Sequence, residues 1–256
     1  YRAWVLFILV IVYTFNFIDR VIVGILAEPI KHDLGLSDTQ LGLMSGAAFA
    51  LFYTFLGIPI ARLADRGSRT WIMTGALAIW SGFTALCGQA QSFLQLFVAR
   101  VGVGVGEAGG VAPAFSLISD YFPPRQRARA LAVFSFGVPI GSGLGTLLGG
   151  LVASAVDWRV AFLAVGVGGL VLAPLFRLTV REPVRGALDA LSGSPPVARS
   201  SFPDALRLLA RKRSFLLLTL GASSSSVVGY GLLFWTPSFF IRSHGLTLAQ
   251  TAWLVG

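Results

Sequence analysis

Residues 98–110 read VARVGVGVGEAGG, an apolar, glycine-dense run that carries one arginine, Arg100, and one glutamate, Glu107. On an α-helix, at about 100° per residue, a spacing of seven puts them two turns apart on nearly the same face. A water-soluble fold offers no reason for two charges in such a run. A membrane-spanning helix does, because ionisable groups at membrane depth are costly and usually face a cavity in which they have a task.

Composition agrees. Of 256 residues, 55% are hydrophobic and 12% charged, with a mean hydropathy of +0.78. Soluble domains run nearer a quarter charged, so the chain reads as an all-α integral membrane protein. Its 30 glycines suit close helix packing in lipid. The single cysteine, Cys87, excludes an intrachain disulfide. A formal charge of +9 would suit nucleic acid, but the basic residues cluster in alternate loops, the signature of membrane topology, and no nucleic-acid partner is expected. The stretch from Trp4 to Arg20 is too long, and too polar at its far end, for a cleavable signal peptide.

Apolar stretches of about 20 residues can cross the hydrocarbon core. Working outward from 98–110, such stretches fall at 4–27, 39–61, 70–89, 93–119, 128–154, 158–179 and 214–241, and an eighth begins near 247. All are expected to be helical, since backbone in lipid must satisfy itself internally. With the N-terminus cytoplasmic, the inner flanks carry 15 of the 20 lysines and arginines, and the outer loops only Lys31, Arg159 and Arg242. That bias predicts a multi-pass protein of the cell inner (plasma) membrane with its N-terminus cytoplasmic. Membrane lipids are its expected surroundings and a monomer its expected state.

Residues 1–180 thus form a six-helix transmembrane bundle and 181–213 a cytoplasmic linker. The linker is rich in Pro, Gly and Ser, then carries FPDALRLLARKRS. Phe202, Leu206, Leu209 and Ala210 recur there at helical spacing, predicting a short amphipathic helix on the membrane surface. Residues 214–256 supply the first helices of a second bundle. Six spans, a long inner loop and further spans suit one complete half of a two-bundle transporter plus the start of its second half.

Gly104, Gly106 and Gly109 spell GxGxxG, the dinucleotide-binding fingerprint. No strand precedes them, so a nicotinamide or flavin site is rejected and no cofactor is expected. The two histidines, His32 and His244, lie in outer loops away from any ligand-spaced cluster. With no metal set and no nucleophile–base set, nothing marks an enzyme. Gly137, Gly141, Gly145 and Gly149 form a ladder of small residues in the fifth span, expected to pack against another helix.

The loop ARLADRGSRT, residues 61–70, resembles the cytoplasmic signature of the major facilitator superfamily. Asp65, Arg66 and Arg69 match it, whereas Ala61, Ser68 and Thr70 depart from it. In that family the loop contributes to a salt-bridge gate, and DYFPPRQRAR after span 4 looks like its partner segment through Asp120 and Arg127. A solvated basic loop is the competing reading. NFIDR in span 1, LGLSDTQLGLMSG, LADRGSR and RVGVGVGEAG together resemble the spinster branch of the superfamily over about residues 12–145.

The resemblance implies the major facilitator fold: two six-helix bundles around a cavity open alternately to each side, with spans 1, 4 and 7 facing it. Eukaryotic members are linked to lysophospholipids and sphingosine-1-phosphate, and bacterial members are commonly assigned as proton-coupled transporters.

Counting at about 1.5 Å per residue puts Asp19 and Arg100 at similar depth, and Glu107 about 10 Å deeper. Arg100 and Asp19 become partners if spans 1 and 4 are neighbours, while Glu107 is left without an assigned one. Arg20, Arg100, Glu107 and Tyr230 are the expected substrate-binding residues, since guanidinium pairs bidentately with carboxylate or phosphate. Asp19 and Glu107 are the expected proton carriers, their protonation alternating with substrate binding. A purely structural ion pair is the alternative. A proton-coupled organic-acid symporter or a drug antiporter is the rival within the superfamily; a channel or a membrane-embedded enzyme is the rival outside it.

Overall fold

The computed structural model describes residues 1–188 and 202–256. The flexible-linker reading falls mostly on residues 189–201, outside the described residues. Among the described residues, regular structure is helical throughout, in thirteen segments. Helix α1 is Arg2–Ile25 and α2 is Ala27–Leu34; α3, Asp38–Gly42, runs through a π-helical turn, Leu43–Ala47, into α4, Ala48–Arg66. They are followed by α5 (Arg69–Cys87), α6 (Phe93–Glu107), α7 (Val111–Tyr121), α8 (Pro124–Ser135), α9 (Gly137–Ala155) and α10 (Trp158–Thr179). The last three are α11 (Phe202–Arg211), α12 (Arg213–His244) and α13 (Leu248–Val255).

Among the described residues, seven spans are long and apolar enough to cross a membrane, at the seven places expected. Two are broken. The fourth stops at Glu107, turns through Ala108–Gly110 with short bonds from the Gly109 N–H to the Gly106 carbonyl (3.1 Å) and from the Gly110 N–H to the Glu107 carbonyl (3.0 Å), and resumes as α7. Pro113, two residues into α7, has no N–H to continue the α6 ladder. The fifth breaks at Phe136, and Pro139 follows at the same place in α9. The break leaves Glu107 as the last residue of α6, the end of a helix where a carboxylate is least favoured.

Glycines set how closely these helices approach. A Cβ on Gly106 would lie 2.5 Å from the Trp80 backbone nitrogen on α5, and one on Gly104 2.8 Å from the Phe49 carbonyl on α4. The opening stretch is therefore a wedge between α4 and α5, and its glycines do packing work. On α9, a Cβ at Gly145 would stand 2.9 Å from the Ile18 Cα, and one at Gly149 2.7 Å from the Ile22 Cγ1. The ladder seats α9 on α1, as its spacing suggests.

Each bundle end has its own chemistry. One end gathers Tyr1, the α4–α5 turn, the α7–α8 turn and residues 180–188, and is rich in arginine. The opposite end carries α2, the α5–α6 and α9–α10 turns, and the close of α12. There Ser37 and Gln40 form a capping box that starts α3, and Gly35 and Gly245, at φ of +62° and +63°, stop α2 and α12. Helix α11 covers the end of the stretch read as linker; Leu206 and Leu209 lie on it, both exposed.

Candidate functional site

α1 and α6 meet through their charged side chains. Asp19 and Arg20 are neighbours on α1 and so diverge by about 100° around its axis. Asp19 accepts a bond from Arg100 Nη1 at 3.1 Å, with both side chains at most 2% exposed. Its other oxygen takes the Thr84 hydroxyl of α5. Arg20 turns to the second charge on α6: its Nε meets Glu107 Oε2 at 2.6 Å, and the glutamate side chain is fully buried. Glu107 is thus not the unpaired carboxylate that counting depth along the helices suggested. Two cations and two anions make the cluster neutral, the condition for keeping such groups out of water.

Aromatic rings floor this cluster. The Arg20 guanidinium lies 4.7 Å from the Tyr53 ring centre, 5.1 Å from Phe49 and 5.2 Å from Phe17. Arg100 also lies over Phe49, at 5.6 Å. Such contacts stabilise a cation most where water is excluded. Neither ion pair is bidentate: Arg20 Nη2, Arg100 Nε and Glu107 Oε1 are buried without a hydrogen-bond partner.

In front of Arg20 opens a cavity of about 510 Å³, between α1, the α3–α4 span and α12. Phe49, Tyr53, Tyr230, Phe234 and Trp235 give it an aromatic wall, and Ser45, Thr54 and Ser226 a few hydroxyls. Of the expected binding residues, Arg20 and Tyr230 line it. Arg100 and Glu107 do not: they lie in the layer behind Arg20. Arg100 holds Asp19 instead of lining this cavity.

At the opposite end α12 is tied to the first two spans. Arg242 bonds Glu28 through Nε at 2.7 Å and grips both oxygens of Asp38 at 2.7 and 2.9 Å; Lys31 adds a 2.7 Å bond to Asp38. Just below, a Cβ on Gly24 would lie 3.2 Å from the Phe234 carbonyl, so α1 and α12 cross closely there. Sequence reading missed this cluster, although Arg242 is one of only three cations that the charge bias assigned to that side, and Glu28 and Asp38 are acidic residues of the loop between the first two spans.

The arginine-rich end holds a second network, different from the one expected. Arg69, with a side chain 1% exposed, pairs with Asp120, bonds Glu182 at 2.7 Å and donates to the Pro183 carbonyl at 2.9 Å. Arg185 donates to the carbonyls of Ala64, Asp65 and Gly67. Of the proposed gate residues, Arg69 and Asp120 meet. Asp65 and Arg66 are exposed, and Asp65 joins this network through its backbone carbonyl. Arg127 donates to the carbonyls of Ser119 and Phe122 at the end of α7. Glu182 and Arg185 come from the stretch read as linker, which no periodicity marked. Burial alone would raise the Glu182 carboxyl, but the Thr70 N–H, the Arg69 guanidinium and the Ser68 hydroxyl outweigh it and hold it below the ordinary glutamate value.

A bundle of seven apolar spans, two of them broken, enclosing a buried ion cluster beside an aromatic cavity defines a multi-pass membrane protein of transporter type. The family model for the Major Facilitator Superfamily matches residues 9–256, and the chain belongs to that superfamily, whose members are transporters and not enzymes. The chain is 40% identical over 250 residues to an MFS-type efflux pump of Mycolicibacterium smegmatis, covering 97% of this chain and 57% of the pump. It is 38% identical over 240 residues to protein spinster homolog 1 of Mus musculus, covering 92% and 45%. The chain spans about half the length of the curated relatives it matches. Among solved structures it resembles a bacterial homolog of the human lysosomal transporter spinster, crystallised in an inward-facing, unoccupied conformation. The TM-score is 0.86 at 39% identity, covering 98% of this chain and 58% of the other.

Proposed function

We propose that this chain forms the substrate-bearing half of a proton-coupled secondary transporter that works by alternating access, and that its cargo is an amphipathic anion such as a lysophospholipid or a sphingosine-1-phosphate-like lipid. The observation that carries the reading is Arg20: a permanent cation on the wall of an aromatic cavity, with the carboxylate of Glu107 directly behind it.

The coupling follows from charge balance. With both ion pairs closed, the cluster is neutral. An anionic head group reaching Arg20 would make it net negative in a dry setting, which is costly. A proton on Glu107 removes that charge and frees Arg20 for the new anion. On this account anion and proton bind together, instead of alternating. Asp19, held by Arg100 and Thr84, keeps its partners throughout and serves as the fixed half of the cluster. The aromatic wall suits an apolar tail, though most rings elsewhere in the chain pack against helices.

The arginine-rich end is read as cytoplasmic, from the bias of basic residues. The Arg242–Glu28–Asp38 cluster then closes the outer side, in keeping with an inward-facing relative of the same fold. Arg69, Asp120 and Glu182 brace the inner side, with Asp65 and Arg66 exposed where a second bundle could engage them. The relative named an efflux pump favours a second reading, a drug antiporter, in which the same cavity takes a hydrophobic cation or neutral compound.

Uptake into proteoliposomes separates these. Lysophosphatidylglycerol and sphingosine-1-phosphate should enter saturably and follow an imposed pH gradient, and Glu107→Gln should remove the gradient dependence. Gradient-driven movement of a cationic dye with neither lipid moving would favour the antiporter. Coupling that survives Glu107→Gln would remove the proton role from this residue.

A further inference from the structure

Within NFIDR, Asn16 has no task in the transport cycle described above. It lies one turn before Arg20 on α1, on the same face. The side chain is 2% exposed, and among the described residues neither Oδ1 nor Nδ2 has a hydrogen-bond partner. A buried amide without partners is unfavourable, and folded proteins satisfy such groups with protein or with ordered water.

The amide lines a small cavity of about 10 Å³, walled by apolar groups of Leu9, Val12, Met73 and Phe134. That is space for a single water molecule. Gly110, in the turn between α6 and α7, also lines it, and its N–H donates to the Glu107 carbonyl at 3.0 Å. Glu107 Oε1 is likewise buried with no partner. Two orphaned polar groups thus flank one turn of backbone, both adjoining Arg20: Asn16 along the helix, Glu107 through the ion pair. The cavity lies toward the arginine-rich end, the side opposite to α2 and the close of α12.

We infer that this cavity is a water site, and that the water held by Asn16 is the last carrier of the proton to and from Glu107 on the arginine-rich side. The inference rests on Glu107 being the group that gains and loses the proton. In the forward step the water gives one proton to Glu107 Oε1 and takes another from that side, so the water is regenerated. Release runs in reverse. Asn16 stays neutral: Nδ2–H donates to the water oxygen and Oδ1 accepts from it. Asn16 is therefore a positioning residue. The charged and titratable groups that face Glu107 are Arg20 at 2.6 Å, Asp19 and Arg100 beside it, and Tyr13, which also lines the small cavity.

Time-resolved infrared spectroscopy of the reconstituted protein after a pH jump tests this directly. The protonated-carboxyl band that vanishes in Glu107→Gln is the signal of Glu107. In Asn16→Leu, which keeps the branched shape and removes both polar atoms, its protonation should slow about a hundred-fold or more, the low end of what a positioned proton-transfer partner contributes. Asn16→Ser leaves room and a hydroxyl for water and should stay near the parent rate. Tyr13→Phe should also stay near it; slowing there instead would assign the relay to the phenol. An unchanged rate in Asn16→Leu overturns the inference while leaving the proton role of Glu107 intact. No band lost in Glu107→Gln overturns the proton role itself. If Asn16→Leu does not fold, a structure resolving ordered solvent decides: a water on the Asn16 amide supports the site, and a dry cavity ends it.

Discussion

The buried cluster of α1 and α6 and the exposed cluster at the close of α12 use the same kinds of side chain to opposite ends. Asp19, Arg20, Arg100 and Glu107 are almost wholly withdrawn from water, and each ion pair rests on a single bond. Arg242, by contrast, is 36% exposed, grips Asp38 with two bonds and adds Glu28. Geometry is better where water is present and poorer where it is not. The difference is one of reversibility. Exposed pairs are worth little each and reopen at small cost, as a seal between moving parts requires. A buried pair is costly to open unless something else cancels its charge, and under the proposed function that something is a proton or an anion.

The largest expected effect comes from breaking the buried pair one-sidedly. Arg20→Ala strands Glu107 without its partner and should cost about 3–5 kcal/mol of stability. Thermal unfolding in detergent reads this, and the paired Arg20→Leu, Glu107→Leu variant should recover most of the loss. If Arg20→Ala costs no more than Arg242→Ala, the contrast between the clusters fails. Next comes Gly106→Val, which presses a side chain onto the Trp80 backbone; overpacking of this kind costs about 1–3 kcal/mol, seen as a lower unfolding midpoint.

Glu182 falls between the two clusters, partly buried and well bonded. Its folded value is lowered, so its contribution is present above its unfolded pKa of about 4.3 and is lost as pH falls through the lower folded value. Glu182→Gln should therefore lower stability by about 1 kcal/mol at neutral pH and flatten the acid limb of the stability profile. An unaltered acid limb would show that the carboxylate does not stabilise this end. Smallest of all, Arg242→Ala should cost about 0.2–1 kcal/mol per pair in a salt-dependent way. Spin labels on α2 and at the end of α12 should show their separation broaden in this variant; an unmoved distance distribution would mean that the Gly24 crossing alone holds the end closed.

How much of this was legible in advance differs between elements. The spans, the packing role of the glycine ladder and the rejection of a nucleotide loop followed from periodicity and composition, because lipid leaves a helix few choices. The Asp19–Arg100 pair followed from counting depth. The Arg20–Glu107 pair did not, though its signal was there: consecutive charges on α1 must point apart, so each needed its own partner on α6. The helix breaks at Ala108 and Phe136 were signalled only by Pro113 and Pro139 a few residues on. Glu182 and Arg185 left no trace, since a segment that docks by scattered hydrogen bonds to side chains and backbone groups has neither hydrophobic period nor charge pattern. The cluster around Arg242 depends on the crossing of α1 and α12, a tertiary fact beyond any local pattern.

Phe49 has a consequence of its own. Its ring is shared by two guanidiniums, at 5.1 Å from Arg20 and 5.6 Å from Arg100, and its backbone rests where Gly104 leaves room on α6. Both cations lean on one ring. Under the proposed function that shared contact holds each arginine to its own carboxylate, so one circuit could switch as the other stays closed. Shrinking it to leucine should let the two circuits short together: Asp19 and Glu107 would then compete for the same arginine, and a conformational cycle that depends on moving one charge at a time would lose its order.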